Sequence, residues 1–525
     1  MSEHAKLTKA VGTMSIATSI SRVLGFVRVM VIARIFGAGM VADAFFQAFR
    51  ISNILRELLA EGSMSAAFIP VFTEYLHTKS KEEARELASS IFYILMFILI
   101  GVTLLGVAFS PQLVGVISRG WVKFPEKFAL TVDLTRIMFP YILFVGLSAV
   151  TMGVLNSMGS FAAPALAPVM LNISMISFAL LVSPRMENPI VGLAIGVVFG
   201  GLLQLLIQLP PLRKKGMGFY FIVKPAHEGV KKIARLTIPV TGSQAVVQIN
   251  IFVSSMIAAY LPEGSVSYLY YAMYLYQFPH GIFGVSVAMA VLPSMSRHAA
   301  VGDHDALKDT LSFGLRYIFF IMTPAMVGLI VLRVPITSLL LQRGTFTYAD
   351  TLGTAYALLF FSLGLCAYSG VRIVNAAFYS LQDTRTPVMG AFVSVSANIA
   401  LSLLLMGPLK HGGLALATAS ASALNMTLLL YLFRRRMGRI GAKKILNSVI
   451  KTVAASAVMG AVCYYLSISD IWAMDGNTMK KAIIVGGSIS AGMATYFAIM
   501  YMLKSEELFF IFNTFKASLL RRRDA

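Results

Sequence analysis

Apolar runs long enough to cross a bilayer recur along this chain about fourteen times. Their cores fall at 11–35, 42–60, 88–110, 132–157, 164–183, 190–212, 236–259, 266–293, 312–333, 352–379, 387–407, 412–433, 446–469 and 481–503. A hydrocarbon core about 30 Å thick needs roughly twenty apolar residues in a helix. With 57% hydrophobic and 13% charged residues, a chain of 525 could not bury this much apolar surface in water. The runs are continuous rather than alternating, which argues against a transmembrane β-barrel. Every backbone polar group must then be satisfied inside a helix. The fold class is an all-α polytopic membrane protein.

Positive charge sets the expected orientation. The formal net charge is +21. In a soluble protein this would suggest nucleic acid, but here most Lys and Arg lie in alternate loops and the tail, so the partner is the anionic membrane surface. The N-terminus, 74–87, 157–163, 212–235, 296–311, 380–386, 434–445 and the tail hold about 26 Lys and Arg, against about 9 in the opposite set. Positive-inside bias makes the rich set cytoplasmic, with both termini inside. No cleavage site follows the first apolar run, which reads as a retained helix. Cys366 and Cys463 show no disulfide or metal spacing.

A weak internal repeat runs at about 223 residues: Pro70 falls on Pro293 and Pro164 on Pro387. An even number of spans per repeat gives two halves of the same orientation, a transporter architecture. The expected organisation is a six-helix lobe over 1–220, a second over 221–440, and two further spans with a basic tail over 441–525.

Against this background the buried charges stand out. Arg22, Arg28 and Arg34 lie in the first run, and Asp43, Arg50, Asn53, Arg56, Glu57 and Glu61 in the second. Ionisable groups at bilayer depth face a cavity and mark a transport path. At ~100° per residue, Asp43, Arg50, Glu57 and Glu61 share one line of the second helix, flanked by Gln47, Asn53 and Arg56. Phe45, Phe49, Ile51, Leu55 and Leu58 form the opposite face. The competing explanation is a salt-bridge ladder that only fixes packing. Arg28 is the leading cation, then Arg22; Arg34, near the helix end, snorkels. Guanidinium donates a planar pair of hydrogen bonds and suits a diphosphate. In the second half Tyr274 lies in a tyrosine-rich eighth span and Arg372 in the tenth. His280 reads as structural. No metal-spaced His cluster, nucleophile elbow or nucleotide-binding loop is present, so enzymatic chemistry is unsupported.

The stretches Ser21-Arg22-Val23-Leu24-Gly25-Phe26-Val27-Arg28, Ala33-Arg34-Ile35-Phe36-Gly37-Ala38-Gly39, Asp43-Ala44-Phe45-Phe46, Asn53-Ile54-Leu55-Arg56 and Ala60-Glu61-Gly62 carry a resemblance. Phe139-Pro140-Tyr141, Phe378-Tyr379-Ser380 and Gln382-Asp383-Thr384 extend it. Together they resemble the MurJ (MviN) lipid II flippases of the multidrug/oligosaccharidyl-lipid/polysaccharide exporter superfamily. The resemblance implies two six-helix lobes plus two C-terminal helices that shape a groove for a polyprenyl tail. It implies a bacterial inner-membrane transporter for lipid II, the undecaprenyl-diphosphate-linked peptidoglycan precursor. It places the central-cavity cations on Arg22, Arg28 and Arg56 and the first-lobe acid on Asp43. The family's arginine in the eighth helix is replaced here by Tyr274, within Ala272-Met273-Tyr274. No cofactor is indicated; a monovalent ion or the membrane potential is the open choice of energy source. A monomer is expected. The rivals are a flippase for another polyprenyl-linked oligosaccharide, a drug antiporter of the same superfamily, a membrane enzyme acting on polyprenyl diphosphate, and an envelope scaffold.

Overall fold

The structure, a computed structural model, describes residues 3–57 and 63–513. Among them there are helices and no strands. The first half runs α1 (Glu3–Phe36), α2 (Met40–Arg56), α3 (Ser63–Thr78), α4 (Lys81–Ala108), α5 (Ser110–Ile117), α6 (Pro125–Met138), α7 (Tyr141–Ser157), α8 (Ala162–Ser177), α9 (Pro189–Leu206) and α10 (Leu209–Lys214). The second runs α11 (Glu228–Ala258), α12 (Ser265–Pro279), α13 (Val285–Ala300), α14 (His304–Val331), α15 (Arg333–Leu341), α16 (Tyr348–Leu363), α17 (Leu365–Ser380) and α18 (Arg385–Met437). Two helices follow, α19 (Ala442–Ser467) and α20 (Thr478–Met502).

Among the described residues, eleven helical segments are long and apolar enough to cross a membrane. One of them, α18, contains two spans: its backbone leaves helical values at Lys410 (φ 48°, ψ −131°), two residues after Pro408. Proline removes an intrahelical hydrogen bond and so weakens the helix close to this break. The second and seventh expected spans fall on α2 and α11, which are shorter or more polar. As far as the described residues reach, all fourteen expected ranges thus lie on helices.

The repeat is legible in the element boundaries. His304–Val331 follows Lys81–Ala108 by 223 residues at both ends. The same shift carries Ser110 at the start of α5 to Arg333 at the start of α15, Pro125 of α6 to Tyr348 of α16, and Ala162 of α8 to Arg385 of α18. It also pairs α2 and α3 with α12 and α13. This corrects one expectation. Residues 74–87 read as a loop, but helix α3 runs to Thr78 and α4 starts at Lys81. Polar residues Glu74, His77 and Thr78 sit on a helix whose apolar face, Phe68, Val71 and Phe72, is buried in the core. Ser80 then caps α4 by accepting from the Glu83 backbone N–H at 3.1 Å.

The chain forms two compact units, Met1–Ser267 and Tyr268–Ala525. In the first, α1 packs on α8, α8 on α9, and α9 on α7; α2 lies on α6, and α11 lies on α3. By the repeat α11 is the counterpart of α1, yet it groups with the first ten helices. In the second unit α14 packs on α13, α17 and α19, α16 and α17 pack on α18, and α19 packs on α20.

Candidate functional site

The polar line on α2 is real, and in this structure it is turned toward α11 and the loop after it. Asp43 is 1% exposed. Its Oδ1 accepts from the Ser267 backbone N–H at 2.8 Å and from Ser267 Oγ at 2.7 Å. Its Oδ2 accepts from the Gly264 N–H at 2.8 Å and from Lys127 Nζ at 2.8 Å. Gly264 has φ 85°, a left-handed value that glycine adopts without penalty, and this presents its N–H to the carboxylate. Lys127 is itself buried and lies 4.2 Å from the centroid of the Trp121 ring. A buried carboxylate is tolerable only when paired and hydrogen-bonded; Asp43 has both kinds of partner. One turn away Glu263 caps α2 by accepting from the Met40 N–H at 2.8 Å.

Further along α2 the contacts continue. Gln47 Nε2 donates to the Ser255 carbonyl at 3.4 Å, and Arg50 donates to Ser255 Oγ at 3.0 Å. Glu57 Oε2 accepts from Gln248 Nε2 at 2.6 Å. Arg56 donates through Nε to Asn53 Oδ1 at 2.8 Å, and Asn53 donates to Glu57 Oε1 at 2.9 Å. Asp43, Arg50 and Glu57, seven residues apart, therefore each engage α11 or its loop. Backbones come close here too: a Cβ on Gly120 would stand 2.4 Å from the Ala259 carbonyl oxygen. The opposite face, Phe45, Phe49 and Ile51, is buried in protein. Glu61 lies outside the described residues.

The α1 arginines diverge. Arg28 is 5% exposed and points to α8, where it donates to Met175 Sδ at 3.7 Å. Asn172 of the same helix donates to the Ser21 carbonyl at 3.1 Å. Arg22 and Arg34 are exposed. The six-residue offset between Arg22 and Arg28 turns them about 120° apart, so only one can enter the α1–α8 contact.

In the second unit Tyr270 donates to Tyr274 Oη at 3.4 Å, with ring centroids 5.0 Å apart. Tyr274 is half-buried and Arg372 exposed. Arg372 reaches His280, a residue that reads as structural in the sequence. Asp383 caps the next helix, accepting from the Thr386 N–H at 3.0 Å and pairing with Arg436 at 2.7 Å. That accounts for the acid in the Gln382-Asp383-Thr384 stretch.

Lys127, Gln248, Ser255 and Ser267 escaped sequence reasoning. Lys127 counted as one loop lysine among several. Only its 84-residue partnership with Asp43 gives it meaning, and spacing carries no signal of that.

Comparison with known proteins now decides the class. The family model described as lipid II flippase MurJ matches residues 32–485. The chain belongs to the MurJ lipid II flippase family. A probable lipid II flippase MurJ from Vibrio cholerae is 38% identical, over 95% of this chain and 96% of its own length. The lipid II flippase MurJ of Burkholderia cenocepacia is 32% identical over 96% and 99%. A solved MurJ structure in an inward closed conformation superposes with TM-score 0.78 at 29% identity, covering 93% of this chain and 98% of that one. An inward-facing multidrug resistance MATE family transporter of the MOP superfamily reaches TM-score 0.68 at 15% identity, a likeness of fold alone. Membership of the MurJ family makes the chain a multi-pass membrane transporter and not an enzyme.

The substitution at Tyr274 gives a first prediction. If the Tyr274 hydroxyl donates to a ligand oxygen, Tyr274→Phe weakens transport, and Tyr274→Arg is tolerated because guanidinium restores a charge-assisted contact. Complementation normalised to membrane abundance reads it. A silent Phe with an inactive Arg would place Tyr274 in packing only.

Proposed function

We propose that the chain moves lipid II from the cytoplasmic to the periplasmic leaflet by alternating access, with Arg28, Arg56 and Arg22 receiving the diphosphate. The support is family membership over nearly the whole chain together with guanidiniums in the first two spans. The proposed organisation is one lobe over 1–220, a second over 221–440 and a tail-binding pair of helices over 441–525. The Lys and Arg asymmetry of the loops supports cytoplasmic termini. With that orientation the Asp43 clasp lies at the periplasmic end.

The observation that carries the alternating-access reading is the row of hydrogen bonds from α2 to α11. It begins with Asp43, held by Gly264 and Ser267 just beyond the end of α11, and ends at Glu57–Gln248. Polar bonds with one charged partner are worth about 1.5–3 kcal/mol each and can be exchanged for water or for a headgroup. Closure at the Asp43 end keeps the periplasmic side sealed while the headgroup loads from the cytoplasm. Breaking it exposes the headgroup outside.

Expression of the chain in a bacterium depleted of its own flippase tests the reading. Growth should be restored, and lipid II should become accessible to an external probe. Restored growth with lipid II still confined to the inner leaflet would refute it. Single cysteines at 212–235 and 434–445 should resist an impermeant thiol reagent in intact cells; ready labelling would invert the orientation.

A further inference from the structure

Between α12 and α13 the eighth span does not run as a regular helix. Residues His280–Gly284 form one π turn directly after Pro279. Such turns widen a helix and recur at functional sites. Here the turn sets His280 against α17. His280 Nδ1 lies 3.0 Å from Ser369 Oγ, and Arg372 donates through Nε to His280 Nε2 at 3.3 Å. Gly284 makes the room: a Cβ there would stand 2.9 Å from Ser369 Oγ and 3.0 Å from His280 Nδ1. The Tyr368 ring lies edge-on to the imidazole at 6.2 Å and itself leans on Tyr276 at 5.4 Å.

This geometry fixes the protonation of the ring. Arginine has donors and no acceptor, so Nε2 must carry a lone pair and Nδ1 the proton, which it donates to Ser369 Oγ. The contact exists only with neutral imidazole. Protonating Nε2 would set two cations face to face. The turn is packed against α13, α14 and α17. From α17 it meets Arg372, Ser369 and the Tyr368 phenol, and from α12 the Tyr276 phenol. On α14 the nearest charge, Arg316, is engaged by Glu506 and Glu507. On α13 the charged groups Arg297 and His298 lie in its last turn, well beyond Gly284. Among the described residues no carboxylate pairs with Arg372.

An incoming anion changes the balance. An oxygen placed between the two side chains can accept from Arg372 Nε and from a protonated His280 Nε2 together. We propose that His280 and Arg372 form an anion-binding pair that takes up one proton when a phosphate oxygen of the ligand arrives. The solvent proton adds to the Nε2 lone pair, the Arg372 N–H turns from the ring to the oxygen, and no other bond is made or broken. The pair supplies the second unit with two cationic donors, His280 from the turn after α12 and Arg372 from α17. This rests on the reading that the ligand is a polyprenyl diphosphate. Such a diester stays fully ionised near neutral pH, so the proton must go to the protein.

The test uses the purified full-length chain in detergent and lipid II as probe. Calorimetry in two buffers of different ionisation enthalpy counts protons on binding. The wild type should take up as much as one proton near pH 7.5. Its affinity should tighten between pH 8 and pH 6, by up to about tenfold per pH unit, the limit for one linked proton. His280→Gln keeps an acceptor for Arg372 but cannot titrate; it should bind with no uptake from this position and a flat pH profile. Histidine labelled with 13C at Cε1 gives an independent readout. The signal absent from His280→Gln should move to the imidazolium position when lipid II is added to the wild type. Equal uptake and equal pH slopes in the two proteins, or normal binding with an unmoved signal, overturn the proton linkage alone. Failure of the wild type to bind lipid II at any pH overturns the ligand reading with it.

Discussion

Asp43→Ala is expected to abolish complementation while leaving the chain in the membrane. The carboxylate holds four donors: Lys127, the Gly264 and Ser267 amides and the Ser267 hydroxyl. Removing it strands a buried ammonium and unties the loop that leads into α12. Breaking one partner of a buried pair costs about 3–5 kcal/mol. That shifts a two-state equilibrium by more than a hundredfold. The closed end of the first unit would then be sparsely populated, and the cycle would lose its sealed state. Lys127→Ala should be nearly as damaging. The double variant should be milder than the two effects added, because it removes the stranded charge along with its partner. Thermal unfolding of the purified variants and complementation at matched abundance measure both. Full activity of Asp43→Ala would remove the clasp from the mechanism.

Arg28→Ala combined with Arg56→Ala carries the second large effect. A hydrogen bond to a charged group is worth about 1.5–3 kcal/mol. Two lost contacts should therefore weaken lipid II binding by roughly a hundredfold or more and stop growth in a depleted strain. Lysine at each position should rescue only in part, since ammonium keeps the charge and loses the planar fork. The two sites differ in surroundings, which separates their single effects. Arg56 is held by Asn53 and Glu57 and can swing when those bonds exchange. Arg28 is wedged against Met175 on α8, so Arg28→Ala also opens a gap there and should lower the unfolding temperature more. Normal binding by the double variant would move the diphosphate elsewhere.

The spans, their number and the repeat were readable from hydropathy and two matched prolines, because lipid punishes any other arrangement. The one-sided polar face of α2 was readable from seven-residue spacing. What that face touches was not. Lys127, Gln248, Ser255 and Ser267 are ordinary polar residues 84 to 224 positions from their partners. Helix α3 was lost because Glu74, His77 and Thr78 break the hydropathy while the helix itself continues. His280 looked structural because its meaning depends on a π turn that brings Ser369 and Arg372 to its two nitrogens.

The placement of α11 has one more consequence. By descent from the repeat it is the opening helix of the second half, yet it rests with the first and holds to α2 largely through amides, hydroxyls and carboxylates. Oil-like attachment would make it part of that half for good. Its first turns have that attachment, with Val230 and Ile233 buried beside Phe68 and Phe72, but its later turns meet α2 through groups that water can replace and form a strap that can loosen while its root stays fixed. Sequence drift along that strap should therefore retune how readily the transporter turns over long before it harms folding.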